Sequence, residues 1–333
     1  MQAFSKTIVT WHKAKGRHDL PWQQGITPYR VWISEIMLQQ TQVQTVIGYY
    51  QRFMEHFPTV NALAMSDEDS VLALWSGLGY YRRARFLHQA SKLVVSEFDG
   101  VFPVEPDKLV HLPGIGQSTA HAIASIAGEL PFAILDANVI RVLTRFYAID
   151  SVLNSKVEKQ LWSLATSLMP PTDCRAYTQG MMDLGAIVCR KKPQCDLCPL
   201  QSQCQAYLLG LHNTLPRKPV KKPKPEKTMW YLLYTYQDKI ALIQRDASSV
   251  WPRLWCLPEQ STQPTSSIEP LLQLEHTFSH YTLHMRIIRM ECETMVGIDY
   301  AFFSIKQALS MGIPRPIRTV LEHVATLNDC HVE

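Results

Sequence analysis

Two carboxylates stand where a carboxylate has no ordinary reason to be. Asp136 lies in FAILDANVIRVL, residues 132–143, an apolar run broken otherwise only by Asn138 and Arg141. Glu35 lies in VWISEIMLQQTQV between Trp32, Ile33, Ile36 and Met37. An unpaired buried charge is costly, so each must be solvated, hydrogen-bonded, or kept from water for chemistry. The structural alternatives are plain: Asp136 as a helix N-cap ahead of Val139, Val142, Leu143 and Phe146, and Glu35 as an exposed helix residue. Together they make the minimum kit for breaking a bond to a sugar anomeric carbon. An apolar setting raises the pKa of one so that it can protonate a leaving group, while the other stabilises an oxocarbenium-like centre.

A second chemical cluster is made of sulfur. Of the eight cysteines, Cys189, Cys195, Cys198 and Cys204 are separated by five, two and five residues. In a reducing compartment that grouping suggests metal rather than disulfides, and thiolates suit both zinc and a four-iron, four-sulfur cluster. Arg190, Lys191 and Lys192 lie inside the group and add positive charge.

LPGIGQSTAHAIASIAG, residues 112–128, has a Gly-x-Gly turn opening a small-residue helix. It lacks the Gly-Lys-Ser/Thr ending of a phosphate-binding loop and the third glycine of a dinucleotide fingerprint. What remains is a helix-hairpin-helix, in which Gly114 and Gly116 expose backbone amides that hold a phosphate without reading sequence. LPW at 20–22 and GLGYY at 77–81, followed by Arg82, Arg83 and Arg85, supply aromatic faces, flexible backbone and charge, which suit a flipped base and an opened stack.

The elements that position these groups follow from periodicity. From Phe4 to about His212 apolar residues recur at three and four, with Ile36, Met37, Val43, Val46, Ile47 and Tyr50 as one stripe and Val157, Leu161, Leu164 and Leu168 as another. Ser66 with Asp69 reads as a capping box. Residues 214–228, TLPRKPVKKPKPEKT, form a basic extended linker. Strand-like runs follow at 229–236, 239–245 and 282–290, with a Ser/Thr/Pro loop near 261–267. The fold class expected is multidomain: an all-α helix-hairpin-helix region over 1–212 with the cysteine loop at 189–204, a linker over 213–228, and a smaller α+β domain over 229–333. The 333 residues, 46% hydrophobic with net charge +4, fit about two globular domains and permit an anionic partner. With no long apolar run and no leader-like start, no membrane association is expected, and the cytoplasm is the expected location.

Taken in order, LPWQ, VWISEIMLQQTQV, GLGYYRRAR, LPGIGQSTA, LDANV, YTQGMMDLGAIVC and the cysteine cluster closely resemble the helix-hairpin-helix glycosylase superfamily. Within its iron-sulfur branch, the likeness is to the MutY-type adenine DNA glycosylases. Beyond the linker, KIALIQR and WPRLWCLPE resemble a MutT/Nudix-like domain. The resemblance implies a base-excision-repair enzyme that flips out adenine opposite 8-oxoguanine or guanine in double-stranded DNA, acts as a monomer and hydrolyses the N-glycosidic bond. Glu35 would protonate adenine, Asp136 would stabilise or transiently capture the sugar, and Asn138 would orient the carboxylates. Leu20 and Trp22 would line the base pocket, Gln40 and Tyr80 would wedge into the stack, and Thr41 and Leu78 would lie near the opposite base. Phe278, Ser279 and His280 would recognise 8-oxoguanine, and the four cysteines would hold one 4Fe-4S cluster, with zinc the lesser alternative.

Three features refine the expectation. Bifunctional relatives carry a nucleophilic lysine where this chain has Ser118, and no lysine occurs between Lys108 and Lys156, so weak or no strand cleavage is expected. The family's Leu-Asp-Gly-Asn-Val, with a lysine two residues on, is altered here by Ala137 and Ile140, and the cysteine loop is one residue shorter than usual. A left-handed backbone at 137 would strain the added methyl by about 1 kcal/mol and displace Asp136. A catalytically silent DNA-binding protein is the first rival reading. A nucleotide pyrophosphohydrolase is the second, weakened because QSTQPTSSIEPLLQLEH lacks the Arg-Glu…Glu-Glu magnesium helix.

Overall fold

The computed structural model describes residues 2–219, 222–264, 269–293 and 300–329. Parts of the expected linker (220–221) and of the expected Ser/Thr/Pro loop (265–268) therefore lie outside the described residues. The chain divides into two compact units, Met1–Ala64 with Gln89–Val220, and Met65–His88 with Lys221–Glu333.

The first unit is helical. It contains α1 (Gln2–Lys15), α2 (Pro28–Leu38), α3 (Val43–His56) and α4 (Val60–Met65). α5 (Glu68–Trp75) and the start of α6 (Arg82–Glu97) belong to the second unit. The first unit resumes with α7 (Pro106–Leu109), α8 (Gln117–Ala127), α9 (Ala137–Phe146), α10 (Ser155–Leu168), α11 (Cys174–Asp183) and α12 (Gln205–Leu208). Its core is aromatic and aliphatic: Trp32, Ile33, Met37, Val46, Phe53, Leu109, Ile123, Leu143, Leu161 and Leu184 are almost fully buried. α2, α8, α9 and α11 pack against one another or share partners, and these are the helices that carry or flank the candidate residues.

Local sequence explains most of the boundaries, with two corrections. The stripe drawn through residues 36–50 is two helices, because Gln40 takes φ 56° in the turn between α2 and α3. The cap of α5 is Asp67, which accepts from Ser70 N at 2.7 Å and from Ser70 Oγ at 2.7 Å; Ser66 is not the cap. An aspartate one position closer to the first turn satisfies a first-turn amide directly and leaves the serine in the preceding loop. The expected hairpin is present as α7, a turn with Gly114 at φ 81°, and α8.

The second unit is built on a mixed sheet of β1 (Glu226–Tyr236), β2 (Lys239–Gln244), β3 (Trp255–Cys256), β4 (Glu259–Gln260), β5 (Leu272–Thr277), β6 (Thr282–Glu291) and β7 (Ala301–Ser304). The main order is β3-β2-β1-β6-β5, with β4 on β1 and β7 on β2. β1 and β6 run parallel, from Glu226 beside Thr282 to Thr235 beside Glu291, while β5 and β6 form an antiparallel hairpin. α13 (Ile305–Leu309) and α14 (Arg315–Asp329) follow. α14 buries Ile317, Val320, Leu321 and Val324, the three-and-four spacing of one apolar helix face. The helical region followed by an α+β domain is the architecture the patterning predicts.

Candidate active site and cysteine cluster

Asp136 is a cap and something more. It closes the N-terminus of α9 with φ −90°, its Oδ1 accepting from Val139 N at 2.7 Å and its Oδ2 from Asn138 Nδ2 at 2.9 Å. Burial raises its pKa above the ordinary carboxylate range, and these hydrogen bonds oppose the rise by favouring the charged form. The strain anticipated at Ala137 is absent: it is the first residue of α9 and does not adopt a left-handed φ. The segment is also supported from the hairpin, because Leu135 N donates to Ser118 Oγ at 3.2 Å.

Glu35 sits one turn before the end of α2, whose N-terminus is set by Thr27 capping Arg30 N and by Pro28. Its carboxyl lines a pocket with Leu20, Trp22, Ser34 and Leu38. Desolvation, reinforced by the nearby negative charge of Asp136, pushes its pKa up to about 7. One carboxyl is thus poised to carry a proton near neutrality, while its neighbour is wired through hydrogen bonds that favour the ion. Leu20 and Trp22 share this pocket with Glu35, and Trp22 is fixed by edge contact with Tyr50 at 5.6 Å.

The pocket holds polar groups that the sequence reading did not single out: Arg17, Gln23, Gln179 and Asp183. Asp183 is buried, accepting from Arg17 N at 2.8 Å and from Arg17 Nε at 2.8 Å, with His12 Nε2 at 3.7 Å. Its signal was available, since Asp183 in MMDLGAIV is as isolated among apolar residues as Asp136.

Asn138 is itself held from the far side. Arg141 Nη2 donates to Asn138 Oδ1 at 2.8 Å and to Gly185 O at 2.5 Å, and Arg141 Nε donates to Cys189 O at 2.6 Å. Asp136, Asn138 and Arg141 therefore form one hydrogen-bonded line ending on the backbone of the first clustered cysteine.

Cys189, Cys195, Cys198 and Cys204 line a single apolar cavity with Val188, Pro193 and Tyr207. Burial lifts the Cys198 thiol to about 12 and raises Cys195 and Cys204 as well. Arg145, only 3% exposed, donates to Cys189 Sγ at 3.3 Å and to the carbonyls of Arg190 at 2.8 Å and Leu215 at 2.9 Å. Four soft donors around one cavity, with a buried cation whose hydrogen bonds run to carbonyls and a sulfur, fit an anionic metal-thiolate assembly. Among the described residues, no three His, Cys, Asp or Glu side chains are grouped tightly enough to hold one metal ion.

At the hairpin, Gly116 caps α8 without a side chain, and Gly114, Gly116 and Gln117 are exposed, so the first-turn amides face solvent. In the α2–α3 turn Gln40 is exposed, and Thr41 Oγ1 bonds Gln39 O at 3.3 Å. In the second unit Tyr80 is 52% exposed at φ 51°, whereas Leu78 is 6% exposed. Phe278, Ser279 and His280 form the β5–β6 turn, closed by Phe278 N to Tyr281 O at 2.8 Å, with Phe278 stacked on Tyr281 and packed against Trp251. The predicted residues thus gather within each unit: the carboxylates, base-pocket residues and cysteines in the first, the Tyr80 loop and the 278–280 turn in the second.

Residues 33–167 match the HhH-GPD superfamily of base excision DNA repair proteins, and residues 229–323 match the NUDIX domain. A thermostable thymine-DNA glycosylase of known structure is 29% identical and superposes with a TM-score of 0.57 over 62% of this chain and 96% of its own. The matched families and the helical fold with its hairpin define a helix-hairpin-helix base-excision DNA glycosylase with an appended Nudix-like domain. The adenine DNA glycosylase of Buchnera aphidicola subsp. Acyrthosiphon pisum (strain APS) is 35% identical over 96% of this chain and 97% of its own length. That of Rattus norvegicus is 44% identical over 65% of this chain and 45% of its own, and that of Homo sapiens 32% identical over 87% and 67%. The chain belongs to the adenine DNA glycosylase family, enzymes that hydrolyse N-glycosyl bonds in base excision repair. No helix among the described residues is long and apolar enough to cross a membrane.

Proposed function

We propose that the enzyme removes adenine paired with 8-oxoguanine or guanine from double-stranded DNA, as a monofunctional glycosylase. The observation that carries this reading is Glu35, its pKa raised to about 7 in the Leu20–Trp22 pocket beside the hydrogen-bonded Asp136. Glu35 gives its proton to N7 of the flipped adenine and the C1′–N9 bond breaks with its electrons going to the base. Asp136 faces the oxocarbenium-like C1′, water adds there, and a carboxylate takes up the proton that water releases. Neutral adenine and an abasic sugar result. Asn138 fixes the orientation of Asp136, and Asp183 with Gln179 supplies hydrogen-bonding groups at the pocket wall for the base edge.

Ser118 supports the absence of lyase chemistry: the position holds a hydroxyl already engaged by Leu135 N, and a hydroxyl forms no Schiff base. Gly114, Gly116 and Ser118 at the α8 N-terminus would bind a backbone phosphate, Gln40 and Tyr80 would enter the stack, Thr41 and Leu78 would face the opposite base, and Phe278, Ser279 and His280 would read 8-oxoguanine. The four cysteines would hold one 4Fe-4S cluster, because a cavity lined by four thiols that do not converge on one ion suits an assembly spanning it. When bound, the cluster would supply a rigid charged anchor for the 189–204 loop. The organisation carried forward is a 1–212 catalytic region, a 213–228 linker and a 229–333 recognition domain, working as a monomer with DNA in the cytoplasm.

Single-turnover adenine release from A:8-oxoguanine, A:G and A:C duplexes, developed with and without hot alkali, tests the proposal. Breaks that need alkali and form fastest opposite 8-oxoguanine are expected. Alkali-independent breaks, or a borohydride-trapped adduct in quantity, would refute monofunctionality, and tight binding without breaks would refute the catalytic assignment.

A further inference from the structure

The loop that carries Tyr80 is fastened at both ends to a single point in the C-terminal part of its unit. After α5 the backbone turns through Gly77 at φ 95°, Gly79 at φ 79° and Tyr80 at φ 51°. A left-handed conformation is disfavoured for a residue with a side chain, so Tyr80 is held there by its surroundings. Part of the hold is local: Trp75 Nε1 and Arg83 Nη2 donate to Gly79 O at 3.1 and 3.0 Å, and the Arg83 guanidinium lies over the Tyr80 ring at 5.5 Å.

The rest comes from more than two hundred residues away. Ser76 Oγ, just before the loop, donates to Ile313 O at 2.9 Å, and Tyr81 Oη, just after it, donates to the same oxygen at 3.0 Å. Gly77 N donates to Tyr81 Oη at 3.1 Å, closing the ring of contacts. Arg318 Nη2 then bonds Ser76 Oγ at 3.1 Å and Leu309 O at 2.7 Å, so α14 grips the same serine and ties it to the end of α13. Gly312 lies so close to α5 that an added Cβ would stand 2.8 Å from Leu72 Cβ, and Gln244 Nε2 donates to Asp69 Oδ1 at 3.0 Å. Ser76, Leu78 and Tyr81 are 8%, 6% and 6% exposed, leaving Tyr80 as the loop's one projecting large side chain.

We infer that the Ile313 carbonyl and Arg318 are positioning residues for stack opening: the C-terminal domain holds the Tyr80 loop as a rigid wedge as well as carrying the 278–280 turn. This rests on the reading that Tyr80 enters the duplex. A side chain that must separate stacked bases works only if its backbone does not yield, and the loop's own glycines cannot supply that stiffness. The Nudix-like domain therefore contributes to opening the helix independently of which base lies opposite adenine.

The test uses the full-length enzyme as Arg318→Ala and Ser76→Ala, each also in a Tyr80→Ala background, with 2-aminopurine beside the mispair and single-turnover adenine release as readouts. Loss of the fastening hydrogen bonds in either variant should slow release about tenfold and reduce the 2-aminopurine fluorescence rise, on A:8-oxoguanine and A:G alike. Both costs should vanish when Tyr80 is already alanine, since the anchor then has nothing to position. Parental rates and fluorescence in both variants would overturn the inference, as would an equal cost in the Tyr80→Ala background, which marks general destabilisation. If the parent enzyme released no adenine, the functional reading would fall, while the fluorescence comparison would still judge the wedge.

Discussion

Glu35 and Asp136 are both held away from water, yet the protein treats them oppositely, and pH is the lever that separates them. Desolvation and the charge of Asp136 raise Glu35 to about 7, so its proton is present below neutrality and lost above it. Asp136 is raised too, but bonded by Val139 N and Asn138 in its ionised form. Single-turnover excision should follow a bell in pH, falling on the acid side as Asp136 gains a proton and on the alkaline side near 7 as Glu35 loses one. The two apparent values belong to the coupled pair. A profile rising steadily to pH 9 would remove Glu35 as the acid. The same shift has a stability consequence. A folded-state pKa above the unfolded 4.5 contributes stability below 4.5 that is lost as pH rises toward 7. Glu35→Gln, which cannot ionise, should be inactive but more stable than the parent at pH 8, by about 3 kcal/mol, with the gap closing below pH 4.5. Thermal unfolding of both proteins across that range measures it.

At the scale of elements, the position of Asp136 depends on how α9 meets the π-helical turn Leu184–Val188 that follows α11. An ideal Cβ at Gly185 would stand 2.5 Å from Asn138 Cβ and 2.9 Å from its Cα, a distance real atoms do not share. Gly185 is thus required by close approach, and Gly185→Ala must push Asn138, and with it the Asp136 carboxylate, out of line. Overpacking of this kind costs about 1–3 kcal/mol in stability. Because a misplaced reacting group is penalised heavily, excision should drop by roughly 10² while the protein stays folded. Circular dichroism with the single-turnover rate decides it; a rate near that of the parent would mean α9 can shift without disturbing catalysis. What was legible here, and what was not, follows from the range of the forces. Asp136 as an isolated carboxylate and cap and the Gly-x-Gly hairpin are local patterns that stand where the sequence places them, and so are the strand-like runs, except that β1 starts at Glu226, three residues inside the expected linker. The cap of α5 lies one residue from where the sequence pattern puts it, at Asp67 and not Ser66, because adjacent polar residues compete for the same amide and only backbone geometry chooses. Asp183 is marked in the sequence by its isolation among apolar residues, but its partners, Arg17 and His12, lie some 170 residues earlier and leave no periodic trace.

The whole molecule shows the largest gap between chain order and packing. Reading along the sequence, the basic linker at 213–228 divides the protein, and everything before it belongs to one catalytic half. By packing, residues 65–88 belong with the sheet that begins at Glu226: Asp69 meets Gln244, Leu72 meets Gly312, and Ser76 and Tyr81 meet Ile313. A chain cut after residue 220 would keep the carboxylates, the pocket, the hairpin and the cysteines but would strip α5 of its partners. Leu72, Ser76 and Tyr81, all buried in the full chain, would be exposed, and Asp69 would lose Gln244. Residues 1–220 should therefore bind more of a hydrophobic dye, unfold at lower temperature than the parent's first transition, and release adenine slowly even from an A:G duplex, where 8-oxoguanine recognition plays no part. Restoring the parent's A:G rate and melting behaviour in the 1–220 fragment would show that α5 and the Tyr80 loop hold their conformation alone. The C-terminal domain would then act only through the base opposite adenine.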